Sequence, residues 1–352
     1  MIPYATTRNL LMNLDSRTWD ARYGRGILAA HGPQYTDYIA ITSPSAWAIA
    51  GPHLPHPPRA LEYQRGMGED YLEDLVQRLP DAEVVLAIGG GNALDVGKVA
   101  AWKLGKPLVM IPTIVSTGAI FQAPVAFRRE PVWQFYFDTI APEYLILDFD
   151  VIAAAPPHLN RAGMGECICL LGHVGSWRWW ADNRSDGVPW DQSAADATMA
   201  WIRRRCAEFA AGLDAQGRPN DDALRIASEV NRERYDIPTY DLKVSHSIDH
   251  TFVMAFEWVH GYELIHSEVV SLGALINAYV YEWGFDETRA LLDSCQVRYR
   301  PADIGCTWDQ VKVVLANLNE LNDRLGHGQN WFHLNSLSDE SFQQMAAAID
   351  AP

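Results

Sequence analysis

Apolar positions along the chain fall into two textures. Up to Asp150, short β-branched runs alternate with stretches of helical spacing. Tyr38 to Thr42 (YIAIT) is an apolar run stopped by Ser43-Pro44, the pattern of a strand buried on both faces. Asp70 to Leu79 carries leucines at 72, 75 and 79 with charges between them, which predicts a helix. Glu83 to Ile88 (EVVLAI) predicts the next strand, and it ends in Gly89-Gly90-Gly91. Asn92 then caps a predicted helix that runs through Leu104 and stops at Gly105. Pro107 to Ile111 (PLVMI) and Tyr144 to Leu147 (YLIL) are further strands. Strands separated by helices predict an α/β domain with a mainly parallel sheet and helices on both faces.

Beyond Asp150 the period changes. Pro156-Pro157 breaks the chain, and helical spacing dominates over residues 162–175, 194–213, 222–233, 248–260, 267–282 and 308–322. The boundary is placed at Ala155, giving an α/β domain of residues 1–155 and an all-α domain of residues 156–352. Trp177 to Pro189 is aromatic and polar without a period, and reads as a loop.

Composition narrows the classes. With 48% apolar and 11% aromatic residues, the chain has enough core material to offset the entropy of ordering. Against 44 acidic residues stand 28 basic ones, a formal charge of −16, which disfavours nucleic acid but not a small anion in a locally basic pocket. Five cysteines without a CxxC pair read as reduced thiols of a cytosolic protein. The first residues lack a basic stretch followed by an apolar run, and no segment approaches the ~20 apolar residues that span a bilayer. The expectation is a cytoplasmic protein with neither membrane nor nucleic-acid partners.

Two places carry chemistry. The strand–GGG–helix junction, Gly89-Gly90-Gly91-Asn92, lets backbone amides and a helix N-terminus face one point, a cradle for a pyrophosphate. It is neither GxGxxG nor the Walker spacing, so the same junction also fits a structural turn. In the second half, three segments, Arg161 to Glu166, Ser245 to Phe252 and His266 to Glu268, carry ligand-type side chains, and one carboxylate with two imidazoles drawn from them would suit zinc or iron(II) with one position open. Spacing alone leaves other sets open, since the chain has 11 histidines and His246 and His250 share a helix face.

Taken together in order, these segments resemble the superfamily of iron-containing (group III) alcohol dehydrogenases and dehydroquinate synthases, over Tyr35 to Gly305. The nearest-looking branches are glycerol-1-phosphate dehydrogenases and dehydroquinate-synthase-like cyclases. Gly89, Gly90, Gly91, Asp95 and Lys98 match the family's GGGxxxDxxK cofactor segment. Thr113, Ser116 and Thr117 match its PT…S segment, and Leu145-Ile146-Leu147-Asp148 its last short strand. The resemblance implies a Rossmann-like first domain followed by an all-α domain, the dehydroquinate-synthase-like fold. It implies NAD or NADP as cofactor and a divalent metal, zinc, iron or similar, on Glu166, His250 and His266. It also implies a homo-oligomer.

Departures from the family shape the functional expectation. The cyclase lysine three residues after the metal-binding glutamate is Cys169 here, and Pro124 to Pro142 contain no lysine to replace a second one. The second histidine of the family's GHTFGH pattern is Met254. An aspartate that contacts polyol hydroxyls is replaced by Gly118. Lys243 stands where phosphate-using branches carry arginine, a candidate anchor for an anionic substrate. Ser43 replaces the acidic residue that faces the adenine ribose in NAD-preferring relatives, which leaves NADP open. His246 and His260 are candidate proton carriers. The expectation is a metal-dependent dehydrogenase of a small polar, phosphorylated or sugar-derived alcohol. A cyclase of altered substrate and an inert binding protein on the same scaffold are the alternatives.

Overall fold

The structure, a computed structural model, describes residues 15–129, 132–137, 139–185, 187–242 and 246–351. The chain divides into two compact units, Met1–Asn160 and Arg161–Pro352.

The first unit contains strands β1 (Ala21–Gly24), β2 (Tyr38–Thr42), β3 (Ala60–Tyr63), β4 (Val84–Gly89), β5 (Leu108–Pro112), β6 (Val125–Arg129), β7 (Val132–Tyr136) and β8 (Tyr144–Asp148). Its longer helices are α1 (Pro44–Ala50), α2 (Glu69–Arg78) and α3 (Gly91–Leu104). Among the described residues six strands form one sheet in the order β1-β8-β5-β4-β2-β3, every neighbouring pair parallel. Strands β6 and β7 form a separate antiparallel hairpin.

The apolar runs explain the sheet. Tyr38, Ala40, Leu86, Ile88, Val109, Ile111 and Ile146 share one face with Leu28 and Val151 packed on them. The alternate residues Ile39, Ile41, Val85, Ala87, Leu108, Met110, Leu145 and Leu147 are buried as well. Both faces are therefore covered, as parallel sheets require, and each buried Val, Leu or Ile contributes ~1.5–3 kcal/mol. On the Ala87 face α3 comes very close: a Cβ added at Gly97 would lie 2.3 Å from the Cβ of Ala87. At the end of β8, the buried Asp148 carboxylate accepts the amides of Gly26 at 3.2 Å, Leu28 at 2.8 Å and Asp150 at 2.9 Å. One side chain thus caps two short helices.

The connections place the loops of interest. The chain leaves β2 outward to β3, but leaves β4 in the opposite direction to β5. Adjacent strands whose exits diverge open a crevice at their C-terminal ends. Ser43 and the Gly89–Gly91 loop stand at those ends. The sequence pattern does not reveal β1 or β3, which are four-residue edge strands without a buried apolar run, nor the β6–β7 hairpin.

The second unit is helical: α4 (Gly165–Asn183), α5 (Gln192–Ala211), α6 (Asp221–Glu233), α7 (Asp249–His260), α8 (His266–Val280), α9 (Phe285–Ser294), α10 (Trp308–Arg324) and α11 (Asp339–Asp350) are its longer elements. Helix α8 packs against both α4 and α7. The loop expected over Trp177 to Pro189 is corrected in its first half, because α4 continues through Asn183 and the non-helical segment starts at Arg184. Trp177 and Trp180, three apart, are buried on one side, while Arg178 and Asp182 pair at 2.6 Å on the exposed side. Bulky aromatics on several faces hid that period. No helix among the described residues is long and apolar enough to cross a membrane.

Gly97→Ala tests the close packing of α3 on β4. Alanine gains ~1 kcal/mol of intrinsic helix propensity, but the neighbouring methyl and backbone of Ala87 cannot swing away. A net loss of ~1–3 kcal/mol is expected from overpacking, read as a lower urea midpoint.

Candidate metal centre and dinucleotide loop

In the first unit the glycine junction is shaped by close contact. Gly89 has φ +151°, a region that disfavours side chains. A Cβ at Gly90 would meet Ile114 at 2.8 Å, and one at Gly91 would meet Thr117 at 3.0 Å. The loops after β4 and β5 therefore lie against each other. Thr113 extends the ladder by donating its amide to Gly89 O at 3.0 Å. Thr113 and Ser116 are buried, and Thr117 Oγ1 accepts from the Ala119 amide at 3.0 Å. Helix α3 starts at Gly91, with Gly90 as its cap and no side-chain cap bond. Asn92, expected at the cap, sits in the first turn instead, because glycine backbone makes the turn without it. An N-terminus without a side-chain cap keeps its amides available to an anion.

Three other predicted cofactor residues have structural partners. Ser43 caps α1, accepting from the Ala46 amide at 3.3 Å. Lys98 is fully buried, with Nζ 2.7 Å from Asp95 Oδ1 and 2.6 Å from Ala119 O. Its charge is spent inside the unit, so Lys98 and Asp95 tie α3 to the loop after β5. A direct anion site at Lys98, expected from the sequence, is corrected to this tie.

In the second unit Glu166, His250 and His266 come together. One ligand-type atom from each lies within 4.8 Å of the others. His266 Nε2 is 3.2 Å from Glu166 Oε1, and His250 Nε2 is 3.4 Å from Glu166 Oε2. Each residue lies in the first turn of its helix, α4, α7 and α8 respectively. Small residues permit the convergence. A Cβ at Gly165 would lie 2.4 Å from Ser271 Oγ, and one at Gly273 would lie 2.9 Å from Asp249 Cα. The buried Asn277 links all three helices: its Nδ2 donates to Gly172 O at 3.0 Å, and its Oδ1 accepts from Ile248 N at 3.1 Å.

Glu166 is almost wholly buried. Arg234 Nη1 donates to its Oε2 at 3.1 Å, and Ser267 Oγ donates to its Oε1 at 3.1 Å. Burial opposes the charge on Glu166, yet contacts from His250 and His266 outweigh it and hold the carboxyl well below its ordinary range. Burial likewise opposes a charged His250, but Asp249 and Glu166 push it up to about 10. His250 Nδ1 lies 2.7 Å from Asp249 Oδ1. A carboxylate at Nδ1 fixes the tautomer that turns the Nε2 lone pair outward, as at histidines that bind metals. One carboxylate and two imidazoles within reach of one point fit a zinc or iron(II) ion with an open position.

The other candidates lie elsewhere. His246 stacks on Trp180, with ring centroids 4.1 Å apart, and its Nδ1 is 2.9 Å from Gln329 O. Trp180 is fourteen residues beyond Glu166 on α4, ~21 Å along the axis. His260 Nε2 is 3.2 Å from Gln310 O, at the far end of α7, ~15 Å from His250. Neither stands at the cluster, so the proton-carrier expectation for both is corrected. Lys243 lies outside the described residues. Sequence reasoning missed Arg234, Asp249, Ser267 and His173. Asp249 and Ser267 directly follow or precede ligands, and His173 repeats the Glu166 face at i+7. Arg234 carries no such signal.

Comparison with known proteins agrees with this fold. Residues 60–156 match the family model described as iron-containing alcohol dehydrogenase. A probable glycerol dehydrogenase from Sinorhizobium meliloti superposes with a TM-score of 0.65 at 20% identity, covering 95% of this chain and 96% of that one. An iron-containing alcohol dehydrogenase from Corynebacterium glutamicum gives a TM-score of 0.63 at 16% identity, covering 94% of each chain. In sequence and fold the chain is similar to the iron-containing alcohol dehydrogenase superfamily. Within it, curated relatives that match are glycerol-1-phosphate dehydrogenases [NAD(P)+]. The protein of Hyperthermus butylicus is 24% identical over 82% of this chain and 83% of its own length. That of Aeropyrum pernix is 28% identical over 66% of this chain and 65% of its own length.

Glu166→Ala or His266→Ala is expected to abolish turnover, with no recovery on adding zinc or iron(II), by assay of metal-loaded preparations. Asp249→Asn is expected to weaken metal affinity about 10–100-fold, the usual effect of removing a carboxylate behind a histidine ligand, measured by equilibrium dialysis.

Proposed function

We propose that the chain is a metal- and NAD(P)-dependent dehydrogenase that interconverts the alcohol and carbonyl forms of a small phosphorylated polyol. The observation that carries the reading is the convergence of Glu166, His250 and His266 on one point, in a chain that also has the strand–GGG–helix loop. When bound, the metal supplies Lewis-acid polarisation of a substrate oxygen and the nicotinamide supplies or accepts a hydride.

The chain's own groups prepare that chemistry. Arg234 and Ser267 hold the Glu166 carboxylate in place, and Asp249 orients His250. The loop after β4 offers helix amides to the dinucleotide pyrophosphate. Three helix N-termini facing the cluster favour an anionic substrate. Lys243 is proposed from its sequence position as a further contact for that anion. Gly118, buried at the start of a short 3-10 turn, offers no carboxylate to polyol hydroxyls. Selectivity is therefore expected to rest on the anion more than on the hydroxyls. Cys169, buried one turn beyond Glu166, replaces the base that a cyclase would need.

Assay of dihydroxyacetone phosphate with NADH and NADPH tests the reading by nicotinamide absorbance. Turnover of this ketone, or of another small phosphorylated one, with little turnover of unphosphorylated dihydroxyacetone is expected. Release of inorganic phosphate from sugar phosphates with no net nicotinamide change would overturn it. Lys243→Met is expected to raise KM for the phosphorylated substrate about 10–100-fold, equivalent to one hydrogen bond to a charged group. Ser43→Asp keeps a good helix cap but adds a charge, so KM is expected to rise for NADPH and to stay near its value for NADH.

A further inference from the structure

Beside the first cluster lies a set of side chains that the proposed dehydrogenase chemistry leaves unexplained. Glu166, Cys169 and His173 follow one another at i, i+3 and i+7 on α4, hence along one face. Asp249 and His250 are consecutive at the start of α7. One ligand-type atom each from Cys169, His173, Asp249 and His250 all lie within 4.8 Å of one another. We propose that these four residues form a second divalent-metal position, closed and thiolate-bearing, that alternates with the Glu166–His250–His266 position through the shared His250.

The donor types distinguish the two positions. Glu166, His250 and His266 give oxygen and nitrogen donors and leave a coordination place open. Cys169, His173, Asp249 and His250 give sulfur, nitrogen, oxygen and nitrogen, enough to close a tetrahedron around zinc. A borderline-soft ion such as zinc favours a set that contains thiolate. The Glu166 set, without sulfur, suits a harder ion such as iron(II) as well. Binding at the second position replaces the Cys169 S–H bond with a sulfur–metal bond and releases that proton to solvent.

A purely supporting role for Asp249 behind His250 does not account for the other two residues. His173 Nε2 is buried and has no hydrogen-bond partner among the described residues. It lies 3.3 Å from Asp249 Oδ2, an ion-pair contact that makes no hydrogen bond. That nitrogen faces a buried carboxylate without a well-formed hydrogen bond, an arrangement that an ion between the two would complete. Among the described residues the Cys169 thiol donates within its own helix, to Glu166 O at 3.4 Å. Both donors therefore turn toward Asp249 and His250 without bonding them.

The shared imidazole sets the linkage. His250 Nε2 faces Glu166 and its Nδ1 faces Asp249. Both sets draw on the one His250 ring, and a ring oriented to an ion in one position is not oriented to an ion in the other, so occupation of one position weakens the other. An ion held in the closed position has four protein ligands and no place for a substrate oxygen, so it does not support turnover.

Cobalt(II) added to the chelator-stripped full chain tests the position by absorption. A thiolate-to-cobalt charge-transfer band in the near ultraviolet is expected in the wild type. The band is expected to be lost in Cys169→Ser, to weaken in His173→Asn, and to persist in Glu166→Gln, which lacks the open position. Cobalt-treated wild type without the band overturns the proposal, whether or not the Cys169 variant folds. So does a band that survives Cys169→Ser, since it would belong to another cysteine. Dehydrogenase turnover without the band removes this position and leaves the proposed function standing; the band in the wild type, with no turnover by metal-loaded Cys169→Ser in which only the open position remains, does the reverse.

Discussion

A buried carboxylate governs the second unit. Removing an ion from water costs several kcal/mol even after relaxation, and breaking a buried pair typically costs ~3–5 kcal/mol. Glu166 is therefore tolerable only while Arg234, Ser267, His250 and His266 surround it. Those groups come from α8, α7 and the turn that follows α6. The helices must hold their register to deliver them, and the contacts of Gly165 and Gly273 set how near they approach. Asn277 adds a polar constraint, since sliding any helix would strand its amide. Packing, polar satisfaction and the ligand set thus enforce the same arrangement.

The first unit solves a different problem. There the ligand-facing surface is backbone, and the requirement is space rather than charge. Parallel strands buried on both faces fix where β2 and β4 end. Glycines at 89 to 91 bring the chain back beneath Ile114 and Thr117 without side chains in the way. The one lysine near this loop turns inward to Asp95 and Ala119. Amide dipoles and a helix end are left to meet an anion, which suits a phosphate because each contributes partial charge at fixed geometry.

Much of this was legible in the sequence, unevenly. Central strands announce themselves as apolar runs, so β2, β4, β5 and β8 could be read directly. Edge strands β1 and β3 lack that signature because every residue of β1, and every residue of β3 but Glu62, is at least partly exposed. The ends of α4 were obscured by tryptophans, whose size lets them be buried on more than one side of a helix. Glu166, His250 and His266 were recognisable as an ordered set, whereas Arg234 was not, because its approach to Glu166 depends on how a short turn folds back. His246 and His260 looked suitable by type alone. Helix length separates them from the cluster, and residue type carries no information about that distance.

The inward-facing Lys98 has one more consequence, for the response to salt. Its ammonium has no exposed surface, so mobile counterions cannot approach it as they approach an exposed pair such as Arg203–Glu287. Screening acts over ~8 Å in water at physiological ionic strength, and far less where water is excluded. A chain of charge −16 repels itself and changes its surface ion pairing as salt varies. The tie between α3 and the loop after β5 stands apart from that variation. The shape of the glycine loop is therefore set independently of ionic strength, even though the approach of any anion to it is not.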